Sequence, residues 1–272
     1  MGEAKGKMRA LYVEERRAEI LRVIEEKKNI SVKQICETFG VSAVTARGDL
    51  EKLENLGKLQ RVHGGAFSID HTLVSLELDK RMSINSEGKK EIAKLANSLV
   101  CEGDSLLVDA GTTTLEFVKT LSNKRNITIV THDLPVANYA DVHLPNASVV
   151  VIGGALRDNH HDCYGSITVS VINQLYVDKA FLGANSFSPE QGFMTESLFA
   201  EEVKHALLAH AKEKIVLIDS SKLDHHNFKK FADVNDFDYV VMDKDVDGRM
   251  GEAIRTKGCR TQLMTAENKP DS

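Results

Sequence analysis

The chain has 272 residues, is 42 % hydrophobic, carries a net charge of −5 and contains no tryptophan. That is enough chain for a small binding module plus one full-sized core. No apolar run reaches the ~20 residues of a membrane span, the first residues lack a secretory apolar stretch, and Cys36, Cys101, Cys163 and Cys259 show no paired spacing, which argues against membrane and secreted disulfide classes; a cytoplasmic protein with reduced thiols is expected.

Charge is unevenly spread. Through Ala66 there are 13 basic and 10 acidic residues (+3), and after it 22 basic and 30 acidic (−8). A module that meets phosphate backbone, joined to one that does not, would have this asymmetry. Residues 1–12 are polar and basic and read as a loose terminus. Glu14 to Glu26 reads as a helix with Ile20, Leu21 and Ile24 inward and Arg16 and Arg17 outward, toward phosphates. Lys27 to Ile30 reads as a turn. Ser31 caps a second helix carrying Val32, Ile35 and Phe39 at helical spacing, and Gly40 breaks it. Ser42 caps a third helix, ended by Gly57, with Val44, Leu50, Leu53 and Leu56 as an inward stripe and Ser42, Thr45, Arg47 and Lys52 outward. Leu59 to Val62 forms one arm of a short hairpin that carries Arg61, followed by the flexible His63-Gly64-Gly65.

Helix, tight turn, helix and a small basic wing make a winged helix-turn-helix. One such helix fits the major groove, and short polar side chains near its start reach base edges. A plain helical hairpin with a solvated face would give the same spacing; the wing favours double-stranded DNA. The expected DNA contacts are Arg16, Arg17, Ser42, Thr45, Arg47, Lys52, Arg61 and His63. The expected organisation is a DNA-binding domain over 1–66, a linker over 67–79, an α/β domain over 80–266 and a disordered tail over 267–272.

From Ser105 the pattern changes. Short apolar runs recur at Leu106 to Val108, Ile127 to Val130, Val149 to Ile152, Ala180 to Leu182, Ile215 to Ile218, Tyr239 to Met242 and Gln262 to Thr265. Helical segments stand between several of them: Thr113 to Leu121, Val136 to Ala140, Ser166 to Leu175 and Glu196 to Ala211. This predicts an α/β domain on a largely parallel sheet. Ligands of such sheets bind at the carboxyl ends of the strands. Those ends carry Asp109-Ala110-Gly111-Thr112-Thr113-Thr114, Thr131-His132-Asp133, Gly153-Gly154 with Arg157 behind, Gly183-Ala184-Asn185 and Asp219-Ser220-Ser221-Lys222. Glycine, hydroxyls and a helix start after the first strand suit a phosphate. It is neither a P-loop nor a dinucleotide fingerprint. Each end alone is an ordinary turn; together they describe a pocket for a small phosphorylated polyol, with Lys222 as a point charge and Asp109 accepting from sugar hydroxyls.

Glu15-Arg16-Arg17 and VSAVTARGDLEKLENLGKLQRVHGGA from Val41 resemble the N-terminal signature of the DeoR family of bacterial sugar-operon repressors. The recognition-helix core of that family usually reads Thr-x-Arg-Arg-Asp-Leu; Thr45, Arg47, Asp49 and Leu50 match, and Gly48 replaces the second arginine. DAGTTT, VIGG, KAFLGA, GFMTE and DSSK resemble the effector domain of the same family, whose fold resembles ribose-5-phosphate isomerase. The resemblance spans residues 14–266. It implies a phosphorylated sugar or sugar alcohol in a site holding Asp109, Thr112, Thr113, Gly153, Arg157 and Lys222. It also implies a helix through Leu99 that relays the state of that domain, and a homodimer or homotetramer on operator DNA. His132 stands where many relatives carry asparagine.

His160-His161-Asp162-Cys163 and His225-His226 lack metal-site spacing, so no metal and no cofactor is expected; His160 or His161 reads as a rim residue of the pocket. Phe181, Phe187 and Phe193 read as core and loop anchors. The function read from the chain is a regulator of a carbohydrate uptake or breakdown operon, most simply a repressor relieved by the sugar phosphate. Two other readings stay open. One is a sugar-phosphate isomerase or kinase-like enzyme with a DNA-binding appendage, in which Asp109, Asp219 and Lys222 do acid–base chemistry. The other is an interaction protein that has lost DNA binding, suggested by Gly48.

Overall fold

A computed structural model of the chain describes residues 13–27, 29–55, 58–62, 65–68, 78–157, 160–223 and 227–266. The expectations for the N-terminus, Leu56, Gly57, His63, the stretch 69–77 of the linker, His225, His226 and the tail 267–272 lie outside these residues. The chain divides into two compact units, Met1–Leu76 and Glu77–Ser272.

The first unit contains α1 (Val13–Lys27), β1 (Asn29–Ser31), α2 (Val32–Phe39), α3 (Ala43–Asn55), β2 (Leu59–Val62) and β3 (Gly65–Ser68). Local chemistry sets the helix ends. Ser31 Oγ accepts the Gln34 N–H at 3.1 Å while Gln34 Oε1 accepts the Ser31 N–H at 2.8 Å, a reciprocal cap. Gly40, at φ 65°, stops α2 in a left-handed conformation that costs glycine little, and its N–H returns to the Cys36 carbonyl. Ser42 then caps α3 through the Thr45 N–H at 3.2 Å. Ile20, Ile24, Ile30, Ile35, Ala46, Leu50, Leu53 and Leu59 form the core.

Several expectations for this unit change. Val44 is 78 % exposed, and Ala46 takes the inward position instead. The expected turn after α1 contains β1, which joins the wing as a three-stranded antiparallel sheet in the order β1-β3-β2. Phe67 and Ser68, expected in the linker, belong to β3. Arg16 and Arg17 do not reach outward to phosphates. Arg16 Nε donates to Asp49 Oδ2 at 2.6 Å and Arg17 Nε to Asp49 Oδ1 at 2.9 Å, and Arg16 itself is buried. A carboxylate buried on α3 needs countercharge, and α1 supplies it.

The second unit opens with α4 (Leu78–Ser83) and α5 (Ser86–Asn97). It continues through β4 (Ser105–Val108), α6 (Thr112–Lys119), β5 (Ile127–Thr131), α7 (Leu134–His143), β6 (Ala147–Val151), β7 (Ala155–Leu156), β8 (Cys163–Tyr164), α8 (Ser166–Ile172) and β9 (Val177–Gly183). It ends with β10 (Ser186–Ser188), β11 (Gly192–Thr195), α9 (Leu198–Ala209), β12 (Ala211–Leu217), β13 (Lys229–Ala232), β14 (Tyr239–Val241), α10 (Arg249–Thr256) and β15 (Gln262–Met264). Every strand expected from the apolar runs is present, and together they form a seven-stranded parallel sheet in the order β15-β14-β12-β9-β4-β5-β6.

The carboxyl halves of the inner strands are apolar because both faces are covered there. Their side chains alternate between two cores. Leu106, Val108, Phe181, Ile215 and Leu217 pack with Ile92, Phe117, Val118 and Val136 from α5, α6 and α7. Leu107, Ala180, Leu182 and Val216 pack with Ile172, Val203, Leu207, Met250 and Ile254 from α8, α9 and α10. The sequence reading missed a small antiparallel sheet, β10-β11-β13. Phe187, Phe193, Phe231 and Phe237 cluster there, with Phe187 and Phe193 rings 4.7 Å apart, so Phe187 and Phe193 are core anchors as expected. Among the described residues no helix is long and apolar enough to cross a membrane.

The Asp49 pairing yields a stability prediction. Asp49→Ala leaves a buried arginine without its partner, a change that typically costs about 3–5 kcal/mol. Amide hydrogen exchange should therefore lose about two to four orders of magnitude of protection in α1 and α3, with the parallel sheet unaffected. Unchanged protection in the first unit would remove the clamp from its stability.

Candidate functional site

Each unit presents one candidate site. On the first, the exposed arc of α3 carries Val44, Thr45, Arg47, Gly48 and Lys52. Ser42 Oγ and Thr45 Oγ1 lie 3.0 Å apart, so these two hydroxyls are held together at the helix start. Val44 was assigned inward from its spacing; exposed here, it offers the kind of apolar contact a thymine methyl accepts. A Cβ built on Gly48 would meet nothing within 4 Å, so no packing demands glycine there. Arg61 lies on β2 of the wing.

On the second unit, a pocket opens at the carboxyl ends of β4 and β9. These neighbours mark the point where the strand order reverses, β5 and β6 continuing to one side and β12, β14 and β15 to the other. Crevices form at such a point because the following helices leave to opposite faces of the sheet. Asp109 is 2 % exposed and sits at its floor. Its Oδ2 accepts from the Lys204 ammonium and from the Gly183 N–H at 3.0 Å, and its Oδ1 lies 3.3 Å from His132 Nε2. Lys204 also donates to the Gly183 carbonyl at 2.8 Å. Burial alone would raise the Asp109 carboxyl; Lys204 and His132 override it and hold the group well below the usual carboxylate range. Burial opposes protonation of His132, yet the hydrogen bond and charge of Asp109 raise it above an ordinary histidine. Its Nδ1 is 2.8 Å from the Cys163 carbonyl, so both ring nitrogens face acceptors and the imidazolium can donate at each.

The turn into α6 follows directly. Gly111 N–H donates to Asp133 Oδ2 at 3.0 Å, and Thr114 Oγ1 donates to the Gly111 carbonyl at 2.9 Å. Burial pushes the Asp133 carboxyl up to about 6. Thr112 and Thr113 line the pocket in the first turn of α6, where backbone N–H groups have no partner within the helix. Lys222 closes a 3-10 turn over Ser220–Lys222 after β12, capped by Asp219. At the rim, Arg157 forks onto Asp162 at 2.9 and 3.0 Å and reaches Glu196 at 3.1 Å.

Of the expected ligand residues, Asp109, Gly111, Thr112, Thr113, His132, Arg157, Gly183, Asp219 and Lys222 line this pocket. Thr131, Gly153 and Gly154 do not line it. Thr131 Oγ1 donates to the Val108 carbonyl at 2.7 Å and accepts the Asp133 N–H at 3.1 Å, tying β5 to β4. The Gly153 carbonyl accepts from Thr168, and a Cβ on Gly154 would fall 2.0 Å from Thr168 Oγ1, so this pair of glycines serves the packing of α8. Asp109 also has a role within the protein that the sequence did not show, with Oδ2 holding Lys204 and the Gly183 N–H and Oδ1 beside His132. His160, expected at the rim, holds Glu196 from behind with Nε2 3.2 Å away; burial lowers it to about 3, so it is neutral.

Sequence reasoning missed Lys204, Lys89, Glu196 and Arg81 as lining residues. Lys204 had a signal, since it follows Val203 and precedes Leu207, both inward-facing on α9, and a lysine on an apolar face needs a buried partner.

Comparison with known proteins covers both units. Residues 16–72 match the model of the DeoR-like helix-turn-helix domain and residues 84–244 that of the DeoR C terminal sensor domain. The HTH-type transcriptional repressor GlcR of Bacillus subtilis (strain 168) is 33 % identical over 236 residues, 86 % of this chain and 90 % of that one. The transcriptional repressor AccR of Agrobacterium fabrum is 29 % identical over 231 residues, 85 % of this chain and 89 % of that one. Ribose 5-phosphate isomerase A from Methanocaldococcus jannaschii superposes with a TM-score of 0.38 at 20 % identity, covering 51 % of this chain and 55 % of its own, too loosely to bear on function.

Two predictions concern α3. Arg47→Ala should lower binding to operator DNA while the fold stays intact, because a bidentate arginine contact is worth about 1–3 kcal/mol of base discrimination. Fluorescence anisotropy at fixed salt checks it, and equal preference over random DNA in wild type and variant would remove Arg47 from the interface. Gly48→Arg should tighten binding to operator and random DNA alike and steepen the salt dependence, since the side chain has open space and adds one phosphate contact. A binding series across salt concentrations decides; loss of operator binding would mean that the duplex approaches the Gly48 backbone closely.

Proposed function

Because the chain belongs to the DeoR family of transcriptional regulators, we propose that it represses a carbohydrate uptake or catabolism operon and is relieved by a phosphorylated sugar or sugar alcohol. The matches to both DeoR domain models support this reading at the level of the whole chain. The pocket supports the choice of ligand, and one observation carries it. Three independent sources of positive potential converge there, namely the first turn of α6 at Thr112 and Thr113, Lys222 after β12, and Arg81 with Lys89 from α4 and α5. Such donors reward a dianion and give little to a neutral sugar.

In this mechanism the cytoplasmic protein acts as a homodimer or homotetramer whose α3 helices read operator half-sites, with Ser42, Thr45, Arg47, Lys52 and Arg61 meeting the DNA. The ligand binds one arrangement of the two units better than the other, and operator affinity falls by that difference. Sensing is favoured over catalysis because Asp109, the carboxylate best placed for proton transfer, is held ionised by Lys204 and His132. A general base needs a pKa near the working pH.

Calorimetry of the full chain against glucose 6-phosphate, fructose 1-phosphate, ribose 5-phosphate and sorbitol 6-phosphate, each beside its unphosphorylated parent, tests the proposal. At least one ester should bind, its parent should bind about a hundredfold more weakly, and the ester should release operator DNA in anisotropy. Lys222→Ala removes a charge-assisted contact worth about 1.5–3 kcal/mol, so it should weaken the ester about 10- to 150-fold and blunt release. Equal affinity for a sugar and its phosphate would refute the anion site.

A further inference from the structure

The cations that line the pocket are not alike. Arg157 is committed to Asp162 and Glu196, and Lys204 to Asp109 and the Gly183 carbonyl. Lys89, 3 % exposed, gives its ammonium to the main-chain carbonyl of Arg81. Arg81 differs. Arg81 is among the residues that line the pocket, and its Nε is buried with no hydrogen-bond partner. A charged donor taken out of water and left unpaired is costly, and such groups persist in folded proteins where a ligand completes them. The charges facing it are those of Glu196, Asp162 and Asp133, which attract, and of Arg157, which repels; burial has already lowered its hold on the proton.

The backbone around Arg81 matters as much as the side chain. Arg81 belongs to α4, the first helix after the stretch 69–77 that leads out of the DNA-binding unit. The joint behind α4 is pinned. Asn85 adopts a left-handed conformation at φ 46°, which few residues other than glycine take without compensation. Its amide reaches Asp243 Oδ2 at 3.0 Å and Asp219 Oδ1 at 3.3 Å, at the ends of β14 and β12. Gly88 lies against the same group, where a Cβ would come within 2.6 Å of the Asp243 carboxylate. The C-terminal side of α4 is thereby fixed to the sheet, while its N-terminal side continues into the linker.

We propose that Arg81 is a phosphate ligand of the pocket and that, through it, an occupant controls the order of α4, the segment by which the sensor unit meets the linker. The proposal rests on the sensor reading above and adds the residue that couples it. A dianion engaging the Nε–H, together with the first turn of α6 and Lys222, draws α4 onto the pocket. An unphosphorylated sugar leaves Arg81 unsatisfied and α4 unchanged.

The test uses the full chain as wild type, Arg81→Gln and Arg81→Lys, with the ester that binds tightest in the panel above and inorganic phosphate as probes. Calorimetry gives affinity, and hydrogen exchange over residues 78–83 gives the order of α4 with and without saturating ester. The expected result is a loss of at least about tenfold in affinity for both probes in Arg81→Gln, with a smaller loss in Arg81→Lys, which keeps the charge but not the fork. Protection over 78–83 should rise at least about fivefold on binding in wild type and stay flat in Arg81→Gln at matched occupancy. Wild-type affinity in Arg81→Gln would overturn the ligand role while leaving the sensor reading intact. Weakened affinity with an undiminished rise in protection would overturn the coupling. If wild type binds no ester and no phosphate, the sensor reading itself fails. Should Arg81→Gln not fold, Arg81→Lys decides by the same two measurements.

Discussion

The sensor unit depends on one buried ion cluster. Asp109 ends β4 at the reversal point of the sheet and has left water almost completely. An ionised carboxylate in that position has to be matched, or the fold would lose several kcal/mol. The match comes from three separate segments: Lys204 on α9, His132 just after β5, and the Gly183 N–H at the end of β9. Because Lys204 also holds the Gly183 carbonyl, the same ammonium fixes α9 to β9. The strand ends around the pocket therefore keep a single arrangement, and the loop into α6 inherits it. Asp133 extends the network by taking the Gly111 N–H with one oxygen and capping α7 through Val136 with the other.

The DNA-binding unit uses the same device on a smaller scale. Asp49, on the inner side of α3, binds Arg16 and Arg17 of α1. Its neighbours Arg47 and Gly48 face out, so one short stretch of the helix holds both the clamp and the exposed arc proposed to meet DNA. That arrangement follows from helical periodicity, since positions two apart lie on nearly opposite sides of the helix. A resemblance built on Thr45, Arg47, Asp49 and Leu50 thus mixes two kinds of constraint. Thr45 and Arg47 are exposed, whereas Asp49 and Leu50 are buried and hold the helix in place.

What could be read from sequence was mainly what short-range chemistry decides. Ser31, Gly40 and Ser42 mark helix ends because caps act over three or four residues, and all three do so here. The parallel strands were legible because burial on both faces leaves unbroken apolar runs, and their carboxyl ends led directly to Asp109, Thr112 and Lys222. Long-range pairing was not legible. Arg16 looked like a surface cation because its partner lies 33 residues away, and Lys204 lies 95 residues from Asp109. Strands β10, β11 and β13 were missed for a related reason. They are short, and β13 joins the others from beyond the whole of α9 and β12. Val44 failed differently. Its spacing from Leu50 suggested one stripe, but the small Ala46 fills the inward place and leaves valine in solvent.

The rim of the pocket shows why engaged and unengaged charges have to be separated before a ligand is inferred. Five lysine and arginine side chains, His132 and four carboxylates line it, a balance that by itself says little about preference for an anion. Their pairing says more. Asp109 is neutralised by Lys204 and His132, and Asp162 and Glu196 by the fork of Arg157, with His160 behind Glu196. Asp219 is turned to Asn85 and Ser221. Arg157, which the resemblance placed in the ligand site, is committed to these two carboxylates, and without it both would face an incoming dianion unpaired. The donors left over are the first-turn N–H groups of α6, the Lys222 ammonium and the Nε–H of Arg81. They come from different elements and share one requirement, a small ligand with several acceptor oxygens and more than one negative charge. The ion pairs beneath them cancel the carboxylates that would otherwise repel an anion, which is what the proposed phosphorylated ligand requires of this pocket.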